Sequence, residues 1–283
     1  MTLTEALAAA GMTPPRVLPE GRFVRFPGAG KGRANTAGWC KVLTPTLAIF
    51  GDWSTGLTAT WRDEAHREDE RSRRLLAEAR ERERRARLDA VRRAREVAAK
   101  AERMILEART DTHPYLVAKG FKHTLGLVNG DLLLVPIRAV EDYERTISMQ
   151  TIAPDGAKRF LPGGRVKGGI HRLGHPQGRV ALCEGFSTGL TLKAAFSLLP
   201  GPWAIVVCFS AGNLVAVAPE FPEAVVCADN DHPDKRGIKA GEEAAKQTGL
   251  KWVMPPAEGE DFNDAHRRLG LIHVVEMLRG LLA

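Results

Sequence analysis

The sequence predicts an α/β protein whose C-terminal part is a mostly parallel sheet flanked by helices. A smaller α+β segment, a long charged helix and a small N-terminal β-rich unit precede it. Three observations carry this expectation. From Val180 onward, apolar runs of strand length alternate with helix-like segments, the rhythm of a parallel sheet covered on both faces. Residues 63–109 are rich in Arg, Glu and Ala and contain neither Gly nor Pro, a composition that favours helix. Residues 21–61 are short alternating segments punctuated by Gly, Pro, Asn and Ser-Thr-Gly, the pattern of hairpins. These shifts divide the chain into 1–62, 63–110, 111–177 and 178–283.

In the N-terminal unit the stretch PGAGKGR invites comparison with a phosphate-binding loop. That loop needs Gly where Arg25 stands and Ser or Thr where Gly32 stands, so the spacing fails. A basic glycine-rich turn remains, either simply solvated or touching a nucleic-acid backbone. Trp39, Trp53 and Trp61 lie in the same unit and are either core residues or stacking surfaces for single-stranded bases. A continuous helix over 63–109 would extend on the order of 70 Å. Leu88, Val91, Ala94, Ala98, Ala101, Ile105 and Ala108 recur at threes and fours, giving its second half one side to bury. The arginine-rich first part reads as a solvated linker or as a surface for a partner.

From His113 the expected strands are LLLVPIR, RTISMQTI and KRFLPGG, with a hairpin at Pro154 to Lys158. Further strands are expected at Val180–Cys183, Ala204–Phe209, Ala224–Ala228 and Trp252–Met254. Helices are expected over Thr188–Leu199, near Leu214, over Lys239–Gln247 and from Asn263 to Leu281. Glu184, Asp229 and Asp231 then fall at the carboxyl ends of strands, where open parallel sheets bind ligands. Asp229 and Asp231, two apart in extended chain, face the same way and repel unless a cation neutralises them. Mg²⁺ suits such oxygen donors. Asp261 and Asp264, in EGEDFNDAH, would reach the same edge, and five carboxylates suffice for two metal ions about 3.5–4 Å apart. The same acids could instead serve locally, as a turn at Asp229–Asp231 and as helix caps at Glu184 and Asp261.

The formal charge of +7 and a pI near 9.4 make a polyanion an expected partner. Cys40, Cys183, Cys208 and Cys227 are scattered singly and form no zinc-ligand spacing or disulfide framework. No signal peptide or membrane-spanning run is visible, so a cytoplasmic protein without a membrane partner is expected.

ALCEGFSTGLTL, VVCFSAGNL and VVCADNDHPDKRGIKAGEEAA together resemble the TOPRIM domain of bacterial primases, topoisomerases and some nucleases. HPYLVAKGF, LLLVPI and KRFLPGGRVKGGIHRLG resemble the segment that precedes it in primases, and the likeness spans about His113 to Gly270. FGDWSTG also resembles the N-terminal part of primase-like proteins carried by plasmids and phages. The resemblance implies a DNA primase making short RNA primers on single-stranded DNA from ribonucleoside triphosphates. It assigns Glu184, followed by Gly185, as general acid/base, and Asp229 and Asp231 as ligands of Mg²⁺ or Mn²⁺, with Asp261 and Asp264 as weaker additions. Lys158, Arg159, Arg165 and Lys167 would meet nucleotide or template. A replicative helicase or another replication protein is an implied partner, plasmid or phage replication an implied setting. A TOPRIM nuclease and a non-catalytic single-stranded-DNA-binding accessory are the alternatives. A topoisomerase fits less well, because the only tyrosines are Tyr115 and Tyr143, both in packing-like contexts.

Overall fold

The computed structural model describes residues 1–32, 34–63, 70–175 and 177–281. The expected start of the long helix, over 64–69, lies outside them. The chain forms two compact units, 1–88 and 89–283.

In the first unit a short helix, α1 (Leu3–Ala9), precedes a four-stranded antiparallel sheet. The strands are β1 (Phe23–Phe26), β2 (Gly38–Thr44), β3 (Leu47–Asp52) and β4 (Leu57–Arg62), hydrogen-bonded in chain order. Thr2 and Glu5 close a capping box on α1. Strand alternation sends Phe26, Cys40, Ala48, Phe50 and Trp61 to one face, where they pack with Leu7 and Met12 of the N-terminal segment.

The long helix α2 spans Glu70–Leu106 and is about 55 Å long. Arg74, Arg82, Arg84, Arg85 and Arg92 pair with Glu78, Glu81 and Asp89 at i,i+3 and i,i+4 spacings, each worth about 0.3–0.5 kcal/mol. Leu88 and Val91, expected to open the buried stripe, are exposed. Burial comes later, through Val97, Ala101, Met104, Ile105 and Ala108, which pack with Leu134, Met149 and Leu161.

The helix ends before 109 because β5 (Arg109–Asp111) pairs with β6 (Gly126–Asn129), a long-range pairing that the local sequence does not announce. Between them lies α3 (Pro114–Ala118), with His113 as its N-cap. Then come β7 (Leu132–Ala139), β8 (Asp142–Ile152), β9 (Lys158–Phe160) and β10 (Gly169–Gly174). The remaining elements are β11 (Arg179–Cys183), α4 (Phe186–Phe196), β12 (Trp203–Val207), α5 (Ala211–Val217), β13 (Val225–Cys227), α6 (Ala240–Thr248), β14 (Lys251–Val253), α7 (Phe262–Leu269) and α8 (Leu271–Arg279). The expected single C-terminal helix is two, because Gly270 takes φ +88° and breaks it.

One ten-stranded sheet runs through this unit in the order β14-β13-β11-β12-β10-β7-β6-β5, with β8 beside β7 and β9 beside β8. The four strands β14, β13, β11 and β12 are parallel, and β10 turns the sheet antiparallel. The sheet therefore continues across residue 178, where composition suggests a boundary. Alternate residues of the parallel strands fill two cores. Ala181, Cys183, Ile205, Val207 and Cys227 face Phe196, Phe262 and Val274, while Leu182, Cys208 and Val226 face Leu214, Val217 and Ala245. All four thiols are buried and unpaired.

Candidate metal centre

The strand order puts β11 between β12 and β13, and the crossovers through α4 and α5 leave on opposite faces of the sheet. The crevice of such an open sheet lies at the carboxyl end of the strand where the order reverses. Glu184 follows β11 directly at that point. Asp229 stands two residues beyond β13, on the neighbouring strand.

The glutamate is held by its surroundings on both sides. Its carbonyl accepts the N–H of Phe209 at 2.8 Å, while its carboxylate accepts the N–H of Ala211, the first residue of α5. Phe209 takes φ +70°, a strained conformation for a bulky residue and of the kind that gathers at functional sites. Oε1 of Glu184 and Oδ1 of Asp229 are both buried without a hydrogen-bond partner. Burial, and then the Asp231 charge, pushes the Glu184 pKa up to about 7. Burial, followed by Glu184, Asp261 and Asp231, pushes Asp229 up to about 8, against the opposing pull of Lys158. Four acids thus crowd one another's fields, and two buried oxygens lack a donor.

Asp231 is anchored differently, accepting the N–H of Gly241 at 2.8 Å. The glycine is needed there, because a Cβ would come within 2.4 Å of the Asp229 carbonyl oxygen. Asn230, between the two aspartates, turns the opposite way and is buried. Its side chain donates to the Pro255 carbonyl and accepts from Lys239, and its backbone bridges Glu260. This bridge draws the 255–261 loop, and with it Asp261, to the site. Asp261 and Asp264 form a capping box on α7, and Asp264 also approaches Lys119 at 3.7 Å. Of the five acids, Asp264 is the one most fully engaged in local structure.

Among the basic residues, Lys158 lies on β9, near enough to act on Asp229 and 5.8 Å from the Tyr115 ring centroid. Arg159 and Lys167 are exposed, and Arg165 pairs with Glu141 at 2.9 Å. Gly185 caps α4 without a side chain, and a Cβ there would meet Thr188 Oγ1 at 3.2 Å. Sequence reasoning missed Asn230, Gly241, Phe209 and the Ala211 N–H. Only Gly241 left a signal, a glycine at the start of a helix facing a paired-aspartate strand end.

Among the described residues, no three His, Cys, Asp or Glu side chains stand together as a ready ligand set. The buried, undonated oxygens of Glu184 and Asp229 nonetheless fit a hard divalent cation, which accepts waters or substrate oxygens for the rest of its shell.

Residues 179–271 match the Toprim domain family. Two proteins of Escherichia coli, both named DNA primase TraC, are 28% and 29% identical over 230 residues. Those alignments cover 72% and 71% of this chain but only 15% and 20% of the relatives, so the chain spans a fifth or less of their length. Among solved structures, the primase fragment of the bacteriophage T7 primase-helicase aligns over 58% of this chain and 69% of its own, at 13% identity and TM-score 0.39. The zinc-binding and RNA polymerase domains of the Aquifex aeolicus primase align over 99% and 83%, at 11% identity and TM-score 0.37. The parallel strand order, the glutamate at the reversal point and the Asp-x-Asp beyond the next strand all lie within the segment 179–271 that matches the Toprim domain family.

Proposed function

We propose that this chain is the catalytic part of a DNA primase, joining ribonucleotides into short primers on single-stranded DNA by metal-dependent nucleotidyl transfer. The observation that carries the reading is the pair of buried, undonated carboxylate oxygens on Glu184 and Asp229 at the reversal point of the sheet. The names of the two Escherichia coli relatives support the same reaction. Glu184, Asp229 and Asp231 would hold Mg²⁺ or Mn²⁺, two ions in the fullest form, with Asp261 beside them and Asp264 mainly holding Asp261 in place. When bound, the ions neutralise phosphate charge and favour the deprotonated primer hydroxyl.

The protein's own groups do the rest. Without metal, Glu184 keeps its proton up to about pH 7, and it would serve as proton acceptor where it does not hold an ion. Lys158 faces both the acids and the open side of β9, where it meets the negative triphosphate. Arg159 and Lys167 offer exposed charge to template or nucleotide, and Arg165 joins them when it leaves Glu141. Gly185 keeps the start of α4 open to close approach. A replicative helicase or another replication protein is the proposed partner, plasmid or phage replication in the cytoplasm the proposed setting. Among the described residues no helix is long and apolar enough to cross a membrane.

Incubation with a single-stranded template, Mg²⁺ or Mn²⁺ and labelled ribonucleotides tests the proposal. Short RNA products are expected, lost by about 100-fold or more in Asp229→Asn and Glu184→Gln. Template shortening would instead identify a nuclease, and a mobility shift with neither outcome a binding accessory.

A further inference from the structure

The outer face of the N-terminal sheet is built unlike its inner one. Register places Phe23, Lys41, Ile49 and Thr60 in one row, and Arg25, Trp39, Gly51 and Thr58 in the next. None of these eight is acidic, and two are cations. Phe23, Trp39 and Trp53 lie with ring centroids 5.3, 5.7 and 5.9 Å apart and interplanar angles of 17°, 27° and 29°. Three rings in one column would place the outer pair at roughly twice the spacing of neighbours. Three nearly equal distances mean that the rings form a triangular cluster, each offset-stacked against both others, a tile of three rather than a column.

Phe23 is 50% and Trp53 54% exposed, which is costly for rings of this size unless something covers them. The tile is rigidly seated. Gly51 lies under the Trp39 indole, where a Cβ would approach the ring to 2.7 Å. The Asp52 carboxylate accepts from the Ser54 N–H and hydroxyl and from the Ala29 N–H, fixing the turn that carries Trp53. The Arg25 guanidinium sits 4.6 Å from the Trp53 ring centroid, with its Nε bonded to the Thr36 carbonyl at 3.0 Å. Arg25 also lines a cleft of about 610 Å³ bordered by Gly28, Gly30 and Lys31.

We infer that the Phe23–Trp39–Trp53 tile is a stacking platform for single-stranded nucleic acid, with Arg25 and Lys41 meeting the phosphates and the Gly28–Lys31 cleft continuing the path. Flat apolar rings alone would suit several partners. Rings interleaved with cations on an acid-free face match the alternation of base and phosphate in an unpaired strand. Trp61, raised by the sequence as a third stacking ring, takes no part. It is 8% exposed on the opposite face, and its Nε1 donates to the Met1 carbonyl.

The inference deepens the template-binding side of the primase reading, yet its test needs no synthesis. Titrating the full chain with an oligothymidylate is expected to quench tryptophan fluorescence. Phe23→Ala and Trp53→Ala, both exposed and therefore compatible with folding, should each weaken binding by about 5- to 100-fold, while Trp53→Phe restores most of it. Arg25→Gln should lower the slope of log affinity against log salt by about 0.7. Asp229→Asn, which removes the proposed chemistry, should leave the quenching intact, so failure of either idea is read separately. Unquenched tryptophans at saturation, equal binding of a duplex, or wild-type affinity in both alanine variants with unchanged circular dichroism would overturn the platform.

Discussion

Each of the two buried acids carries a proton more tightly in the fold than in the unfolded chain, where ordinary carboxylates titrate near 4. Their contribution to the stability of the metal-free protein is therefore full below about pH 4 and is lost as pH rises through about 7 for Glu184 and about 8 for Asp229. Asp229→Asn should accordingly raise the melting temperature of the metal-free protein at pH 8 and leave it unchanged at pH 4. Mg²⁺ should stabilise the wild type more at pH 8 than at pH 5, with proton release detectable by calorimetry in buffers of different ionisation enthalpy. That Glu184 and Asp229 meet at one sheet edge was legible in the sequence because both follow apolar runs of strand length, which the parallel topology ends side by side. Asp264 was not separable from them, since a capping box uses the same residue types as a ligand set. Phe23 carries no signal in the sequence, because its partnership with Trp39 and Trp53 depends on strand register, which no local pattern states.

Helix α6 owes its place to one missing methyl group. Gly241→Ala should push the helix from the Asp229 carbonyl, break the bond to Asp231 and cost on the order of 1–3 kcal/mol, measured by urea denaturation. Helix α2 behaves as two helices in one. Ala101 is fully buried against Leu134, Met149 and Leu161, so Ala101→Asp should destabilise the second unit by roughly 3 kcal/mol or more. Arg82→Ala, on the exposed turns, should shift stability by less than about 0.5 kcal/mol. Composition foretold the helix but placed the start of its buried stripe two turns early, at Leu88, because spacing reveals a face and not what covers it. The strand β5 was hidden for a related reason. Its three residues follow a helix-forming run, and only pairing with β6 makes them extended.

At the scale of the molecule, the strand rhythm after Val180 predicted the parallel sheet, and the topology carried distant acids to one edge. The antiparallel continuation through β10 and β7 was less visible, because β10 reads GIHRLG, with glycine at both ends and polar residues inside. That strand is nevertheless what joins the parallel strands to β7 and, through it, to β5, β6, β8 and β9. Asn213 of α5 reinforces the junction, bonding the Gly168 N–H and the Gly169 and Cys208 carbonyls with one side chain.

Anyone excising residues 179–281 as a minimal enzyme would strip β12 of its outer neighbour, leaving the wholly apolar WAIVV ribbon with a row of unsatisfied amides facing water. Such a fragment should clump during purification, whereas one beginning before β5 should stay dispersed. The practical unit of this machinery is thus set by where its sheet can safely be cut.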